Sequence, residues 1–95
     1  MTLGTVYPDV VPSGTQNWGY FNATSGTMYT VNVTGMSLIT TLTSVGYGAC
    51  GSLTPIGLGV TGNGSLSFAA PITGVIYVWT TPAASDSGFL QVTSP

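Results

Sequence analysis

The sequence predicts an all-β protein: a single small antiparallel β-sandwich of jelly-roll or Greek-key type, with about seven or eight short strands and an extended N-terminal arm. Short runs of alternating or β-branched residues recur along the chain, separated by glycine, proline and asparagine. No stretch of useful length has the periodicity of an amphipathic helix. The 95 residues are enough for one domain with a modest core.

The N-terminal segment, residues 1–14, mixes apolar residues with two prolines. Proline lacks the N–H group that an interior strand donates to its neighbour, so this segment is predicted to be an extended arm or an edge strand. The sandwich domain is then expected to span residues 15–95. The apolar residues of the segment are candidates for contacts between subunits: Leu3, Val6, Tyr7, Val10 and Val11.

The first two strands after the arm are predicted at residues 18–22 and 28–34, paired as a hairpin across the turn between them. The second strand has the cleanest alternation in the chain. Tyr29, Val31 and Val33 share one side and polar residues occupy the other, as expected of a half-buried strand.

The middle of the chain is rich in glycine. Residues 38–43 are predicted to be a strand and residues 44–54 a long loop. Residues 56–60 and 65–70 alternate again, and the Gly-Asn-Gly sequence at residues 62–64 predicts that they form a hairpin.

Residues 74–80 form the densest run of β-branched and aromatic residues. Both faces of this run are apolar, which predicts an interior strand covered on both sides. A loop at residues 82–87 and a last strand at residues 88–93 complete the expected sandwich.

The chain is almost uncharged, because Asp9 and Asp86 are its only charged residues and it contains no Lys, Arg or His. Binding of a phosphate backbone depends on Lys and Arg, so no nucleic-acid partner is expected. A polybasic membrane patch is missing too, and no apolar run approaches the roughly 20 residues of a membrane-spanning helix. No membrane partner is expected either.

The composition supplies few of the side chains that enzymes use as general acids or bases. Without His, Lys or Glu, no ordinary general base is present to activate the many Ser and Thr hydroxyls. The G-x-G-x-x-G match at residues 57–62 runs into a predicted strand, whereas a dinucleotide site needs a helix there. We therefore predict no enzyme, no catalytic or cofactor-binding residue, no metal ligand and no cofactor.

Two sets of residues are candidates for binding or modification. Three of the four asparagines begin N-x-S/T triplets, so Asn22, Asn32 and Asn63 are possible glycosylation sites in a source that glycosylates. The aromatic residues Trp18, Tyr20 and Trp79 are expected first to anchor the small core. A side-by-side, exposed arrangement would instead favour a platform on which sugars stack.

The missing charges also bear on self-association. Natural sandwiches protect their sheet edges with Lys and inward-pointing charges, and net charge keeps small domains apart in solution. This chain has neither device. It is therefore expected to be a homo-oligomer whose edges and faces are covered by copies of itself or by a partner.

A pattern of small and aromatic residues runs through the second half of the chain: SLSFAAP at residues 65–71, then Thr73-Gly74, Tyr77, Trp79, and SGFLQV at residues 87–92. Over residues 65–93 the chain thus resembles pre-peptidase C-terminal-type β-sandwich domains. That resemblance implies a non-catalytic extracellular module.

As a small, all-β, charge-poor chain with an N-terminal arm, the protein also resembles in type the decoration (cement) proteins of tailed-phage capsids. This resemblance implies a structural protein at the virion surface that stabilises the shell by contacts with itself and with a major capsid protein. Two alternatives stay open. One is a subunit of an extracellular filament or surface layer, assembled by strand addition to another filament protein. The other is a carbohydrate-binding module that uses Trp and Tyr stacking.

Overall fold

The computed structural model describes residues 3–11, 16–36, 41–49, 52–57, 59–81 and 86–94. Within these ranges the chain forms strands and no helix. None of the described residues lies in a helix of the length and hydrophobicity that crossing a membrane requires. The strands are β1 (Val6–Val11), β2 (Asn17–Ala23), β3 (Met28–Thr34), β4 (Leu42–Ala49), β5 (Ser52–Pro55), β6 (Val60–Thr61), β7 (Gly64–Ala69), β8 (Gly74–Thr81) and β9 (Asp86–Thr93).

The strands form two antiparallel sheets that pack face to face. Sheet A has the order β1-β9-β3-β7, and sheet B has the order β2-β8-β4-β5, with the two-residue β6 also paired to β4. With β6 set aside, this strand order is that of a double Greek-key jelly roll, in which the chain crosses between the sheets at every connection except the one from β4 to β5. The predicted β-sandwich is confirmed, with one very short strand more than expected.

Because the connections after β2 and after β6 cross between the sheets, two predicted hairpins are wrong. β2 pairs with β8, whereas β3 pairs with β7 and β9 in the other sheet. Likewise β6 pairs with β4, whereas β7 pairs with β3. The glycine-containing turns after β2 and after β6 therefore carry the chain from sheet B to sheet A. Period-two alternation identifies a strand and its buried face, but it does not identify the neighbouring strand.

The predicted loop at residues 44–54 is also wrong, because β4 and β5 form an antiparallel hairpin there. Gly46 has no room for a side chain: a Cβ atom would lie 2.8 Å from the backbone oxygen of Thr54. Gly48 has a φ of +119°, which other residues rarely adopt. Glycine here serves close packing within a hairpin. Residues 37–40, part of the strand predicted before it, lie outside the described residues, as do residues 50 and 51.

The core lies between the two sheets and is centred on β8. Ile76 and Val78 are fully buried, and from sheet A they face Val31 and Val92, which are buried equally. Complete burial of such a side chain contributes about 1.5–3 kcal/mol. The expected interior position of this strand is confirmed, since β8 lies between β2 and β4. The expectation that both of its faces are covered is wrong, because its alternate residues lie half-buried on the outside of sheet B.

The N-terminal segment, for which the sequence leaves an arm and an edge strand open, forms an edge strand of its own chain's sheet. β1 pairs with β9 from Val6 opposite Gln91 to Val11 opposite Asp86. Before the strand, the Gly4 N–H donates to Val92 O at 2.7 Å, and Gln91 Nε2 donates to Gly4 O at 2.9 Å. Residues 12–15, the end of the predicted arm and the start of the predicted domain, lie outside the described residues.

Candidate functional site

The outer side of sheet B carries four aromatic residues on two neighbouring strands. The register places Trp18 of β2 opposite Trp79 of β8, and Tyr20 opposite Tyr77. Phe21 of β2 has the opposite orientation and is buried in the core. Strand alternation therefore brings two indole and two phenol rings together on one surface, which we call the aromatic face.

The two indole rings stack on each other, and Trp79 also packs against Gly46 of β4. A Cβ atom on Gly46 would lie 3.0 Å from Cη2 and 3.2 Å from Cζ3 of Trp79, so the Trp79 ring occupies the space that a side chain of β4 would fill. Trp18 stacks on Trp79 from the other side, with ring centroids 4.8 Å apart and an angle of 18° between the planes. Trp79 is thus held from both sides, and Trp18 is the outer ring of the stack.

The two tyrosines extend this surface along the strands. Tyr77 meets Trp18 edge to face at 6.4 Å, and Tyr20 is tilted against Tyr77 at 6.5 Å. Trp18 is 46% exposed and Tyr20 is 55% exposed, whereas Tyr77 and Trp79 are half-buried. None of the four lies in the core, which was the first expectation for these rings. Trp18 and Tyr20 have instead the side-by-side, exposed arrangement that favours stacking with a ligand.

A cleft adjoins the aromatic face at the open side of the sandwich, between the edge strands β1 and β2. Its volume is about 180 Å³. Trp18 belongs to both the cleft and the aromatic face, which makes the two features continuous. The residues that line the cleft are Tyr7, Pro8, Asn17, Trp18, Gly19 and Leu90.

By their backbone, both charged residues of the chain belong to strands of sheet A. Asp9 lies in β1 and Asp86 begins β9, and the described strands of sheet B contain no charged residue. The aromatic face therefore offers ring surfaces, amides and hydroxyls for recognition, without an ionised side chain on its own sheet.

The outer side of sheet A carries a different apolar surface. Val6 and Pro8 of β1 lie next to Phe89 of β9, with Pro8 directly opposite Phe89 in the register. Val6 is 54% exposed and Phe89 is 48% exposed. We call these three residues the β1–β9 patch. Val6 and Phe89 lie on the opposite side of the sandwich from the aromatic face, whereas Pro8 also lines the cleft.

The predicted arm residues fall into three groups. Leu3 and Val6 are exposed. Tyr7 is half-buried and lines the cleft. Val10 and Val11 belong to β1 by their backbone, but their side chains lie outside the part of the chain that the structure describes.

The three candidate glycosylation asparagines occupy different settings. Asn22 is exposed on the outer side of β2, and Asn32 is half-buried in the middle of sheet A. Asn63 already has a structural role: its Oδ1 accepts from Met36 N at 2.7 Å, and its Nδ2 donates to Met36 O at 3.1 Å. The Asn63 amide thus pairs with a backbone in the way a neighbouring strand would.

One sequence signal distinguishes the outer rings from the core rings. On β2 the outward set, Trp18, Tyr20 and Asn22, consists of side chains that each carry a polar atom, whereas the inward Phe21 and Ala23 have none. Tyr and Trp tolerate a surface that is apolar on one side and wet on the other. The seating of Trp79 on Gly46 had no such signal, because it depends on the register of β4 against β8.

The comparisons with known proteins add no relative: no family model matches the sequence, and no curated protein is significantly similar to it. The fold and the surfaces themselves define a small jelly-roll sandwich with two chemically different outer faces, each with exposed apolar or aromatic residues. Among the described residues, no cluster of three or more His, Cys, Asp or Glu side chains could hold a metal ion.

Proposed function

We propose that the protein is a non-enzymatic structural subunit of an extracellular-facing assembly, and that this assembly is a virion whose shell it decorates. The observation that carries the proposal is the β1–β9 patch on an almost uncharged protein. Val6 and Phe89 expose about half of their surface and have no polar side-chain atom. Covering them removes apolar area from water, and a formal net charge of −2 opposes association only weakly.

A second copy of the chain is the first partner that this surface fits. The molecule measures 34 × 28 × 20 Å along its principal axes, so its broadest face measures 34 × 28 Å. A stable interface buries about 800 Å² on each partner, which a face of this breadth can supply. Contacts between copies would form the clusters that grip a shell, and a major capsid protein is the second partner in this proposal.

Two considerations favour a virion over a filament built by strand addition. Double-sheet jelly rolls recur in viral capsid and lectin domains, an analogy at the level of the fold. In addition, β1 already pairs with β9 of its own chain along six residues. Donation of the N-terminal segment to a neighbour's sheet, the form of strand addition expected of an arm, would require β1 to leave its own sheet.

The test is the oligomeric state of the full chain, measured by size-exclusion chromatography with multi-angle light scattering. The wild type is expected to form a discrete oligomer, well above the 9.6 kDa of one chain. Val6→Thr and Phe89→Thr each place a β-branched residue that suits a strand, and each is expected to weaken association about tenfold, or about 1.4 kcal/mol.

Met28→Thr is the matched control, because Met28 is 46% exposed on the same sheet but lies on β3, outside the patch. Its oligomer should match the wild type. A monodisperse wild-type monomer at high concentration would reject the proposal. Negative-stain microscopy of native material separates the remaining cases, since clusters on capsids support the virion and open-ended fibres support a filament or surface layer.

A further inference from the structure

The assembly proposed above leaves the aromatic face unused, and we propose that this face binds a neutral oligosaccharide. Trp18 and Tyr20, 46% and 55% exposed, present ring surfaces to solvent. The face of an aromatic ring is electron-rich, and the C–H groups on one side of a sugar ring are weakly positive. The two surfaces therefore attract each other when they stack, and both are desolvated in the process.

The distribution of exposed apolar residues supports a sugar on this face rather than a protein. The large exposed residues of sheet B are Trp18 and Tyr20, which carry an N–H and an O–H group. Those of sheet A are Val6, Met28 and Phe89, which carry no donor. A sugar needs stacking and hydrogen bonding together, and within the described residues only sheet B combines them in its exposed rings.

Polar groups surround the rings at the positions that a sugar would need. Asn22 is exposed on the same side of β2, and Ser44 of β4 lies opposite Trp79. At the other end of the strands, Gln16 Nε2 donates to Thr81 Oγ1 at 3.1 Å, and both groups retain further hydrogen-bonding capacity. These amides and hydroxyls both donate and accept, as do sugar hydroxyls.

The absence of ionised groups on sheet B determines the class of sugar. Sialic acids, uronic acids and sulfated sugars are anions, and proteins recognise anions with Arg, Lys or a cluster of N–H donors. The whole chain contains no Lys, Arg or His, and the described strands of sheet B contain no Asp or Glu. A neutral sugar loses no ionic hydration when it binds here, so it is preferred over an acidic one.

The extent of the surface indicates a chain of two or three sugars. Trp18 and Tyr20 are two residues apart on one strand, so their rings are offset by about 7 Å along it. The adjoining cleft has a volume of about 180 Å³. That space accommodates one ring-sized group next to Trp18. The cleft, the Trp18 indole and the Tyr20 phenol together form a continuous surface along which two or three sugars could bind.

The experiment is a glycan array that carries neutral oligomers of glucose, mannose, galactose and N-acetylglucosamine beside sialylated and sulfated glycans. The full chain is dye-labelled at its N-terminal amine, because it contains no lysine. The best neutral probe is then titrated in solution by calorimetry and by tryptophan fluorescence. We expect neutral oligomers to bind, acidic ones to bind at least about tenfold more weakly, and Trp fluorescence to change on binding.

Four variants locate the site. Trp18→Ala and Tyr20→Ala are expected to weaken binding about tenfold each, whereas Tyr20→Phe, which keeps the ring, should stay within about threefold of the wild type. Met28→Ala, on the other sheet, should bind like the wild type. Because Trp18 packs on Trp79, its variant is checked by circular dichroism. If it does not fold, the two Tyr20 variants decide.

Three results would overturn the proposal: no neutral probe binds, acidic probes bind as well as neutral ones, or Tyr20→Ala leaves binding unchanged. A change of oligomeric state in Tyr20→Ala, without a change in sugar affinity, would assign the face to a protein contact and overturn it too. The assembly proposal is tested separately, since Val6→Thr and Phe89→Thr alter the opposite side of the sandwich.

Discussion

Gly46→Ala tests the construction of the aromatic face most sharply, because one methyl group is placed where Trp79 lies. Ordinary van der Waals contacts begin at 3.4 Å, and the new Cβ would lie 3.0 Å from Trp79 Cη2 and 2.8 Å from Thr54 O. The indole must therefore move by about 0.4 Å and the backbone of β5 by about 0.6 Å, shifts that follow from those distances. A ring is easily displaced, but a paired backbone is not.

The expected change in the free energy of unfolding of Gly46→Ala is the sum of two opposing effects. Overpacking of this kind costs about 1–3 kcal/mol. Alanine also restricts the unfolded chain, which returns about 0.4–1 kcal/mol where the native φ is ordinary, as it is at Gly46. The net expected loss is about 1–2 kcal/mol, or a fall in Tm of roughly 5–15 °C for a domain of this size.

Thermal unfolding measures the loss, and the exciton couplet of the stacked indoles in the circular dichroism spectrum reports the Trp18–Trp79 geometry. The couplet should weaken in Gly46→Ala. Gly26→Ala is the control: Gly26 has a φ of +83° with no atom within 4 Å of a new Cβ, so it costs backbone strain but should leave the couplet intact. Wild-type stability together with an unchanged couplet in Gly46→Ala would refute the seating of Trp79 on Gly46.

Two further predictions concern stability and are read from denaturant unfolding. Asn63→Ala removes both bonds to Met36 and should cost about 1–3 kcal/mol, whereas Ser65→Ala removes the same N-x-S triplet but leaves those bonds, and should change stability little. Equal losses in both variants, or none in either, would contradict the structural role of Asn63. Ile76→Ala, at a fully buried position, should cost about 2–5 kcal/mol, and Val75→Ala, its neighbour on the outer side of β8, less than about 1 kcal/mol. Similar costs at the two positions would mean that the outer side of β8 is covered after all.

The sequence was a good guide to individual strands. Residues 28–34 alternate strictly, and β3 has those bounds. The β-branched run at residues 74–80 is the interior strand β8. Period-two patterning and β-propensity are local properties, so they survive without knowledge of the partner strand.

The pairing of the strands was harder to predict from the sequence, because most connections of a jelly roll cross from one sheet to the other. The turns at residues 24–27 and 62–63 have the composition of hairpin turns, yet each joins strands of different sheets. The glycine-rich residues 44–54, which look like a loop, contain the one pair of long consecutive strands that does form a hairpin in the described chain, β4 and β5. Residue types at a turn indicate its backbone conformation, but they do not indicate which sheet the next strand joins.

Part of the core could not be predicted because it consists of buried threonines. Thr43 and Thr80 are fully buried, with their Oγ1 atoms 3.4 Å apart, and Thr41 is buried as completely. A threonine has the branched shape of valine, and a hydrogen-bonded hydroxyl can be buried at small cost. In a chain about one quarter Ser and Thr, polarity alone does not separate the inner face from the outer.

The central claim is that the two outer faces of this jelly roll serve different partners, a copy of the chain on sheet A and a neutral oligosaccharide on sheet B. The most direct measurement maps both by NMR on one labelled sample, first by raising the protein concentration and then by adding the best neutral glycan at low concentration. The account predicts two separate sets of shifted signals, around Val6 and Phe89 in the first case and around Trp18 and Tyr20 in the second. One shared set, or shifts confined to a single face under both conditions, would contradict it.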